Sequence, residues 1–299
     1  MPVAESTPDH TARNGVIAAA SAFFIWGLLP LYLKPLNSLG ALQIAAWRYA
    51  MGCLTVMGWI SWRGELQSVW RAFATPALLA RLTLTAGLLA VNWTLYAWGI
   101  AHGQVLLTSL GYFINPLVNV LLGVLVLSER LNRAQFTAVL LATAAVAGLT
   151  FDAGELPWIA LVLAVTFSLY GLLRKTAPVA PLPGLAVETL LVSPLACGYL
   201  LLIEHQQGNL LEHSPLILIL LALSGVATIV PLALFNFGTR RINYATIGML
   251  QYIGPTLQFL IGVFIYKEAL SGFRLGCFGL IWLALLIYAG DGLWRTRKT

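Results

Sequence analysis

The sequence predicts an all-α integral membrane protein with ten transmembrane helices in two inverted five-helix repeats and with both termini in the cytoplasm. Three observations predict this class: the composition, the spacing of long apolar segments, and an internal repeat. Of the 299 residues, 59% are hydrophobic and 9% are charged, and the mean hydropathy is +0.85. A water-soluble domain of this length could not bury so much apolar surface. The composition therefore excludes a soluble globular protein.

Ten apolar segments have the length of about 20 residues that crosses roughly 30 Å of hydrocarbon. They predict helices at 15–33, 41–62, 77–100, 104–127, 134–151, 157–174, 184–203, 215–238, 244–266 and 273–291. Residues 1–14 are polar and lack the regions of a removable signal peptide. We therefore expect the first helix to be retained, between cytoplasmic tails at 1–14 and 292–299.

The basic residues predict the orientation of these helices. If the N-terminus is cytoplasmic, thirteen Lys and Arg residues fall in the inner segments and three, Lys34, Lys267 and Arg274, in the outer ones. Because cytoplasmic loops carry the excess of basic residues, this count places both termini inside. The net charge of +6 then reflects membrane topology, and we expect no nucleic-acid partner.

An internal repeat relates residues 110–131 to residues 249–270, which lie 139 positions later. Identical residues occupy seven of the 22 aligned positions: Ile114/Ile253, Pro116/Pro255, Leu121/Leu260, Gly123/Gly262, Val124/Val263, Glu129/Glu268 and Leu131/Leu270. Five helices in each copy force the second copy to enter the membrane upside down. We therefore predict two inverted repeats, 15–151 and 157–291, which would meet around a substrate site near the bilayer midplane.

The repeated segment combines prolines with a stripe of polar side chains. Pro116 and Pro255 cannot donate to the carbonyls four residues earlier, so both carbonyls should face protein or a wet cavity. Polar residues share the same helical face: Tyr112, Asn115, Asn119, Gln251 and Gln258. Such a stripe indicates either hydrogen bonds between helices or the lining of a substrate cavity.

Two formal charges lie inside the predicted helices, and intramembrane charges are costly and commonly functional. Arg48 would hold an anionic group of a substrate or counter a carboxylate, and its planar fork suits that task. Glu188 is the only acid in the predicted membrane interior, which makes it the candidate proton-coupling residue. The alternative for both is that the side chain extends to the nearer membrane surface.

Aromatic residues accompany the polar stripes. Trp26, Trp93, Tyr170 and Tyr252 lie within the helices concerned, and Asn92 precedes Trp93. Flat rings with a few amides suit a small amphiphilic substrate, although plain packing is the alternative for each ring.

Several short segments resemble the RarD-type proteins of the EamA branch of the drug/metabolite transporter superfamily. They are Phe24-Ile25-Trp26-Gly27, Asn92-Trp93, the nonapeptide Ser109–Leu117 and the hexapeptide Gln251–Thr256. The resemblance implies ten helices with both termini cytoplasmic, a bacterial inner-membrane location, and a central cavity lined mainly by helices one to four and six to nine. Helices five and ten would be peripheral, facing lipid or a second copy in a homodimer. The family is associated by name with chloramphenicol sensitivity.

The sequence disfavours two other classes of function, an enzyme and a channel. An integral-membrane enzyme acting on a lipid or small metabolite is disfavoured, because all four histidines lie in the tail or loops and no paired acids or activated nucleophile is assembled in the membrane. A channel is disfavoured by the lack of charged rings or repeated filter loops. The spacing of the three cysteines suggests no metal site, and we expect no cofactor.

Overall fold

A computed structural model describes residues 8–102, 104–153, 158–207, 214–267 and 272–296. Residues 1–7 and 297–299 of the predicted tails lie outside the described residues, as do positions 154–157 of the acidic connection and Glu268 and Leu270 of the repeat. Within the described ranges the chain is almost entirely helical and contains no strand.

Twelve α-helices follow one another along the described chain. They are α1 (Pro8–Leu33), α2 (Ala41–Trp62), α3 (Leu66–Phe73), α4 (Pro76–Ala101), α5 (Val105–Leu125), α6 (Arg133–Ala153), α7 (Trp158–Thr176), α8 (Pro181–Gln207), α9 (Pro215–Thr239), α10 (Tyr244–Gln251), α11 (Ile253–Leu260) and α12 (Gly272–Thr296). A 3₁₀ turn, Lys34–Leu36, follows α1, and a π-helical turn, Ile261–Ile265, follows α11.

The described helices overlap the predicted segments in position, with three differences. The first helix begins at Pro8, inside the predicted tail, and the short helix α3 lies in a stretch for which no helix was predicted. Among the described residues, nine helical segments are long and apolar enough to cross a membrane. Among the described helices of 18 residues or more, α2 is the one outside this set, and its 22 residues include Gln43 and the charged Arg48.

The third difference concerns the predicted helix 244–266, which is broken into α10, α11 and the π-helical turn. The break falls at Tyr252, because Pro255 has no N–H to donate to the carbonyl of Gln251. The equivalent Pro116 leaves α5 continuous. Gly254 precedes Pro255 and gives the backbone freedom to distort, whereas Asn115 before Pro116 is held by two hydrogen bonds to α7.

The helices pack in a regular pattern. α1 packs against α9 and α11, α4 packs against α7, α5 packs against α7 and α10, and α2 packs against α8 and α9. The main buried cluster lies among these helices, around Tyr170 and Phe235. Large apolar side chains such as Leu54 and Leu195 are exposed on the outside of the bundle, as expected for a surface in contact with lipid. α6 and α12 pack chiefly against each other at the periphery.

Candidate functional site

A cavity with a volume of about 930 Å³ lies between two groups of helices. α1 and α11, which pack together, line it opposite α4 and α5, which both pack on α7. α2 lines it next to α4, and Gln251 at the end of α10 also contributes. At one end, which we call the open end, the cavity reaches the connection 34–40 and Tyr266. Its volume falls in the range of small-molecule sites.

The structure brings most of the predicted site residues to this cavity. The predicted residues that line it are Trp26, Arg48, Asn92, Trp93, Tyr112, Asn115, Gln251 and Gln258. Asn119, Tyr170 and Tyr252 are fully buried and are not among its lining residues. Glu188 lines a small adjoining pocket of about 10 Å³, to which Arg48 also belongs. The described residues of α8 and α9 line this pocket rather than the large cavity, unlike the lining that the family resemblance implied.

The polar stripe of the repeated segments forms a hydrogen-bond network between helices. Asn115 Nδ2 donates to the carbonyl of Ala164 at 2.6 Å and to Ser168 Oγ at 2.9 Å, both on α7. Gln251 Nε2 donates to Asn115 Oδ1, and Asn119 Nδ2 donates to Gln251 Oε1 at 2.7 Å. Two of these amides, those of Asn115 and Gln251, also face the cavity. The same residues therefore join the helices and line the space between them.

Arg48 is the one charged residue at the junction of the large cavity and the small pocket within the described chain. Its Nε donates to Thr228 Oγ1 at 3.1 Å, and its guanidinium lies over the ring of Trp93, 4.2 Å from the centroid. No described carboxylate lies within ion-pairing distance of it. The side chain is thus fixed by a hydroxyl and an aromatic ring, with its charge uncompensated by any described acid.

Glu188 has a different partner, Arg174 on α7. Arg174 Nε lies 3.4 Å from Glu188 Oε1, and the two side chains are 1% and 3% exposed. Thr85 Oγ1 donates to the same carboxylate oxygen at 2.6 Å. Glu188 Oε2 is buried and has no hydrogen-bond partner. This buried pair joins α4, α7 and α8 beyond the floor of the cavity.

Further hydrogen bonds close the bundle at the end opposite the cavity mouth, which we call the closed end. The Glu129 carboxylate accepts hydrogen bonds from the backbone N–H groups of Tyr244 at 2.6 Å and Ala245 at 2.8 Å, at the start of α10. A carboxylate at a helix N-terminus is favoured by the helix dipole. Lys175 Nζ donates to the carbonyls of Thr239 at 2.7 Å and Ile242 at 2.6 Å. These carbonyls lie at the end of α9 and in the connection that leads to α10.

The open end is held by fewer contacts. Tyr266 Oη donates to the carbonyl of Pro30 at 3.3 Å, and Lys34 Nζ lies 3.9 Å from the centroid of the Tyr266 ring. Tyr32 Oη donates to the carbonyl of Leu220. These contacts join α1 to α9 and to the segment after α11, on one side of the cavity. None of these three contacts reaches α4 or α5 across the cavity.

Sequence reasoning missed Arg174, Thr85 and Phe167. Arg174 stands beside Lys175 at the end of a helix, where the sequence indicates only an interfacial charge. One signal was available: Arg174 follows Tyr170 by four positions and so shares its helical face, which points inward. The T-shaped contact of Phe167 with Trp26, at a centroid distance of 5.7 Å, depends on tertiary packing that no local pattern reveals.

Comparison with known proteins gives the family. Residues 13–151 match the EamA-like transporter family. An uncharacterised transporter of Pseudomonas aeruginosa is 42% identical over 96% of both chains, and the protein RarD of Escherichia coli is 37% identical over 96% of this chain and 97% of its own. This chain belongs to the RarD-type proteins of the EamA-like transporter family. It is therefore a multi-pass membrane protein of a transporter family.

One further relative bears on the family's name, and one solved structure bears on the fold. The chloramphenicol-sensitive protein RarD of Pseudomonas aeruginosa is 32% identical over 95% of this chain and 96% of its own. One solved crystal structure matches with a TM-score of 0.68 over 91% of this chain and 96% of its own, at 18% sequence identity. That identity is low, so the match supports the fold alone.

Proposed function

We propose that this chain is a secondary transporter of the bacterial inner membrane that moves a small amphiphilic metabolite or drug by alternating access through the central cavity. The observation that carries the proposal is the cavity itself: about 930 Å³, lined by helices from both halves of the chain, open at one end and closed at the other. A solvent-accessible site between two helix groups is the arrangement that a rocking transporter needs.

The proposal includes ten spans in two inverted repeats. The packing of α1 on α9 has its counterpart in that of α4 on α7, and the packing of α5 on α7 has its counterpart in that of α1 on α11. Left-handed backbone at Ser128 (φ 55°) and Lys267 (φ 57°) falls at equivalent positions of the two copies. These matched features support a two-fold relation between the halves, and bacterial relatives support the inner-membrane location.

With both termini in the cytoplasm, the open end faces outward and the closed end faces the cytoplasm. To open the cytoplasmic side, the chain must break the Glu129 contacts with α10 and the Lys175 contacts with the end of α9. These bonds link opposite sides of the cavity, so they cannot survive a separation of the two helix groups. Their loss would be offset by new contacts that close the outer end.

Glu188 is the proposed proton-carrying residue. Protonation would neutralise it and end its ion pair with Arg174, which weakens the closed end. The pocket that contains Glu188 also contains Arg48, which lines the large cavity as well, so the proposed proton site and the cavity share a lining residue. The substrate would then bind at Arg48 and the proton at Glu188, two charged residues that line the same small pocket.

The test of transport compares metabolites inside and outside bacteria that lack the chain, that carry the wild type, or that carry Arg48→Ala. Chloramphenicol is included because it occurs in the name of one relative. A compound whose distribution changes identically in the deletion and the Arg48→Ala strains supports a transporter that works through the cavity. Unchanged distributions would contradict it, whereas chemical conversion of a compound by the purified protein would indicate an enzyme.

Alternating access is tested by disulfide crosslinking of paired cysteines across the open end, at the outer ends of α1 and α4 or of α1 and α5, after the three native cysteines have been replaced. Rocking predicts crosslinks that form in one state only and that stop transport. Crosslinks that form equally with and without substrate would count against it.

A further inference from the structure

We propose that the substrate is an organic anion with a single carboxylate on a flat apolar body, and that Arg48 binds the carboxylate. This inference rests on the proposed transport function and names the substrate class for the same cavity.

The charge of the cavity is the first reason. Its described lining contains two cationic side chains, Lys34 and Arg48, and no Asp or Glu. The nearest described acid in the adjoining pocket, Glu188, is in an ion pair with Arg174. A charge in a weakly polar environment is costly unless it is paired, so the cavity favours an anion and disfavours a cation.

The geometry of Arg48 is the second reason. Thr228 accepts a hydrogen bond from Nε, and the ring of Trp93 covers one face of the guanidinium. Neither contact uses the terminal Nη1 and Nη2 groups, and the structure gives these groups no hydrogen bond to a described residue. They form the planar fork that binds a carboxylate through two parallel hydrogen bonds. The side chain is therefore held in place before the substrate arrives.

Aromatic rings indicate the rest of the molecule. Trp26 and Phe167 meet edge to face at a centroid distance of 5.7 Å, and Tyr96 and Tyr112 do the same at 5.7 Å. All four line the cavity together with Trp93. Faces and edges of this kind bind flat apolar groups. The cavity thus offers one anion-binding fork within an aromatic chamber.

A single carboxylate fits better than a phosphate. A phosphate monoester carries up to two negative charges, which call for more than one cation close to it. Lys34, the other lining cation, lies at the open end over the ring of Tyr266. An anion that binds at Arg48 therefore meets the positive charge of one guanidinium, which balances a single carboxylate.

The experiment measures the binding of four probes to the purified full-length protein in detergent by calorimetry. The probes share a naphthalene ring and differ in charge: 2-naphthoate, neutral 2-naphthamide, 2-naphthyl phosphate and cationic 2-naphthylmethylamine. We expect 2-naphthoate to bind at least about 10-fold more tightly than the amide, because hydrogen bonds between charged groups are stronger than those to a neutral amide. Arg48→Gln should remove this preference and leave the affinity for the amide unchanged, while Arg48→Lys should keep part of it.

Arg63→Gln is the matched control, because Arg63 is exposed and pairs with Glu65 away from the cavity. It should bind all four probes like the wild type. Equal affinity for naphthoate and amide, tighter binding of the amine or the phosphate, or no naphthoate binding to the folded protein would each overturn the proposal. So would an Arg48→Lys or Arg48→Gln protein that is folded and binds naphthoate like the wild type.

Transport is scored separately, as counterflow of radiolabelled 2-naphthoate and 2-naphthylmethylamine in proteoliposomes. Binding through Arg48 without counterflow would contradict the proposed transport function and leave the anion site in place. Counterflow of the amine but not of naphthoate would preserve transport and contradict the anion class.

Discussion

Removing the acid of the buried pair between Glu188 and Arg174 should destabilise the folded protein strongly. The Arg174 side chain is 1% exposed, and its Nε and Nη1 atoms have no hydrogen-bond partner apart from the ionic contact of Nε with Glu188. In Glu188→Gln the guanidinium keeps its charge and loses its only described counter-charge. Breaking one partner of a buried ion pair costs about 3–5 kcal/mol, and we expect a loss of unfolding free energy of this size.

The paired variant separates this effect from the loss of a polar side chain. In Arg174→Gln with Glu188→Gln both charges are gone, and the two amides can hydrogen-bond to each other and to Thr85. We expect the double variant to recover most of the loss, which gives a coupling energy of at least about 2 kcal/mol in a double-mutant cycle.

The assay is unfolding in mixed micelles with increasing SDS, followed by tryptophan fluorescence. If Glu188→Gln and Arg174→Gln are each as stable as the wild type, or if their effects simply add in the double variant, the pair does not hold the closed end together.

The double variant is also the better background for measuring pH-driven transport. If Glu188 carries the proton, this stable variant should lose its response to a pH gradient. A full response would show that another group carries the proton.

Three further predictions concern contacts between helices, each measured by the same unfolding assay. Gly225→Ala should cost about 1–3 kcal/mol, because a Cβ there would overlap a backbone carbonyl of α2, whereas Gly198→Ala, with no atom within 4 Å, should cost nothing. Glu129→Gln should cost about 1 kcal/mol, because it weakens two charge-assisted hydrogen bonds to α10; an unchanged stability would mean that the cap is dispensable. Gln251→Leu should cost about 1–3 kcal/mol through the loss of its bonds to Asn115 and Asn119, and a neutral effect would contradict the network.

The sequence predicted the positions of the long helices well, because apolar length is a strong and local signal. It predicted that Pro116 and Pro255 would each free a carbonyl, but it could not tell that only the second would break its helix. That outcome depends on what holds the neighbouring residue: Asn115 is tied to α7, whereas Gly254 has no side chain to tie.

The candidate site was predictable where a residue is unusual for its surroundings. Arg48 stands out as a charge among apolar residues, and it does face the cavity. The partner of Glu188 was not predictable, because Arg174 lies at a helix end, where a basic residue is ordinary. Tyr170 and Tyr252 carry the same type of side chain as Tyr112, and only the rotation of each helix in the bundle decides which of them reaches the cavity.

The most direct test of alternating access is the accessibility of a single cysteine at position 112, in a protein without its native cysteines. Tyr112 is 38% exposed and lines the cavity. In right-side-out and inside-out vesicles, a membrane-impermeant maleimide should label Tyr112→Cys from either face, and a crosslink across the open end should abolish labelling from the outer face only. Labelling from one face alone, or a crosslink that blocks both faces or neither, would contradict a cavity that opens alternately to the two sides.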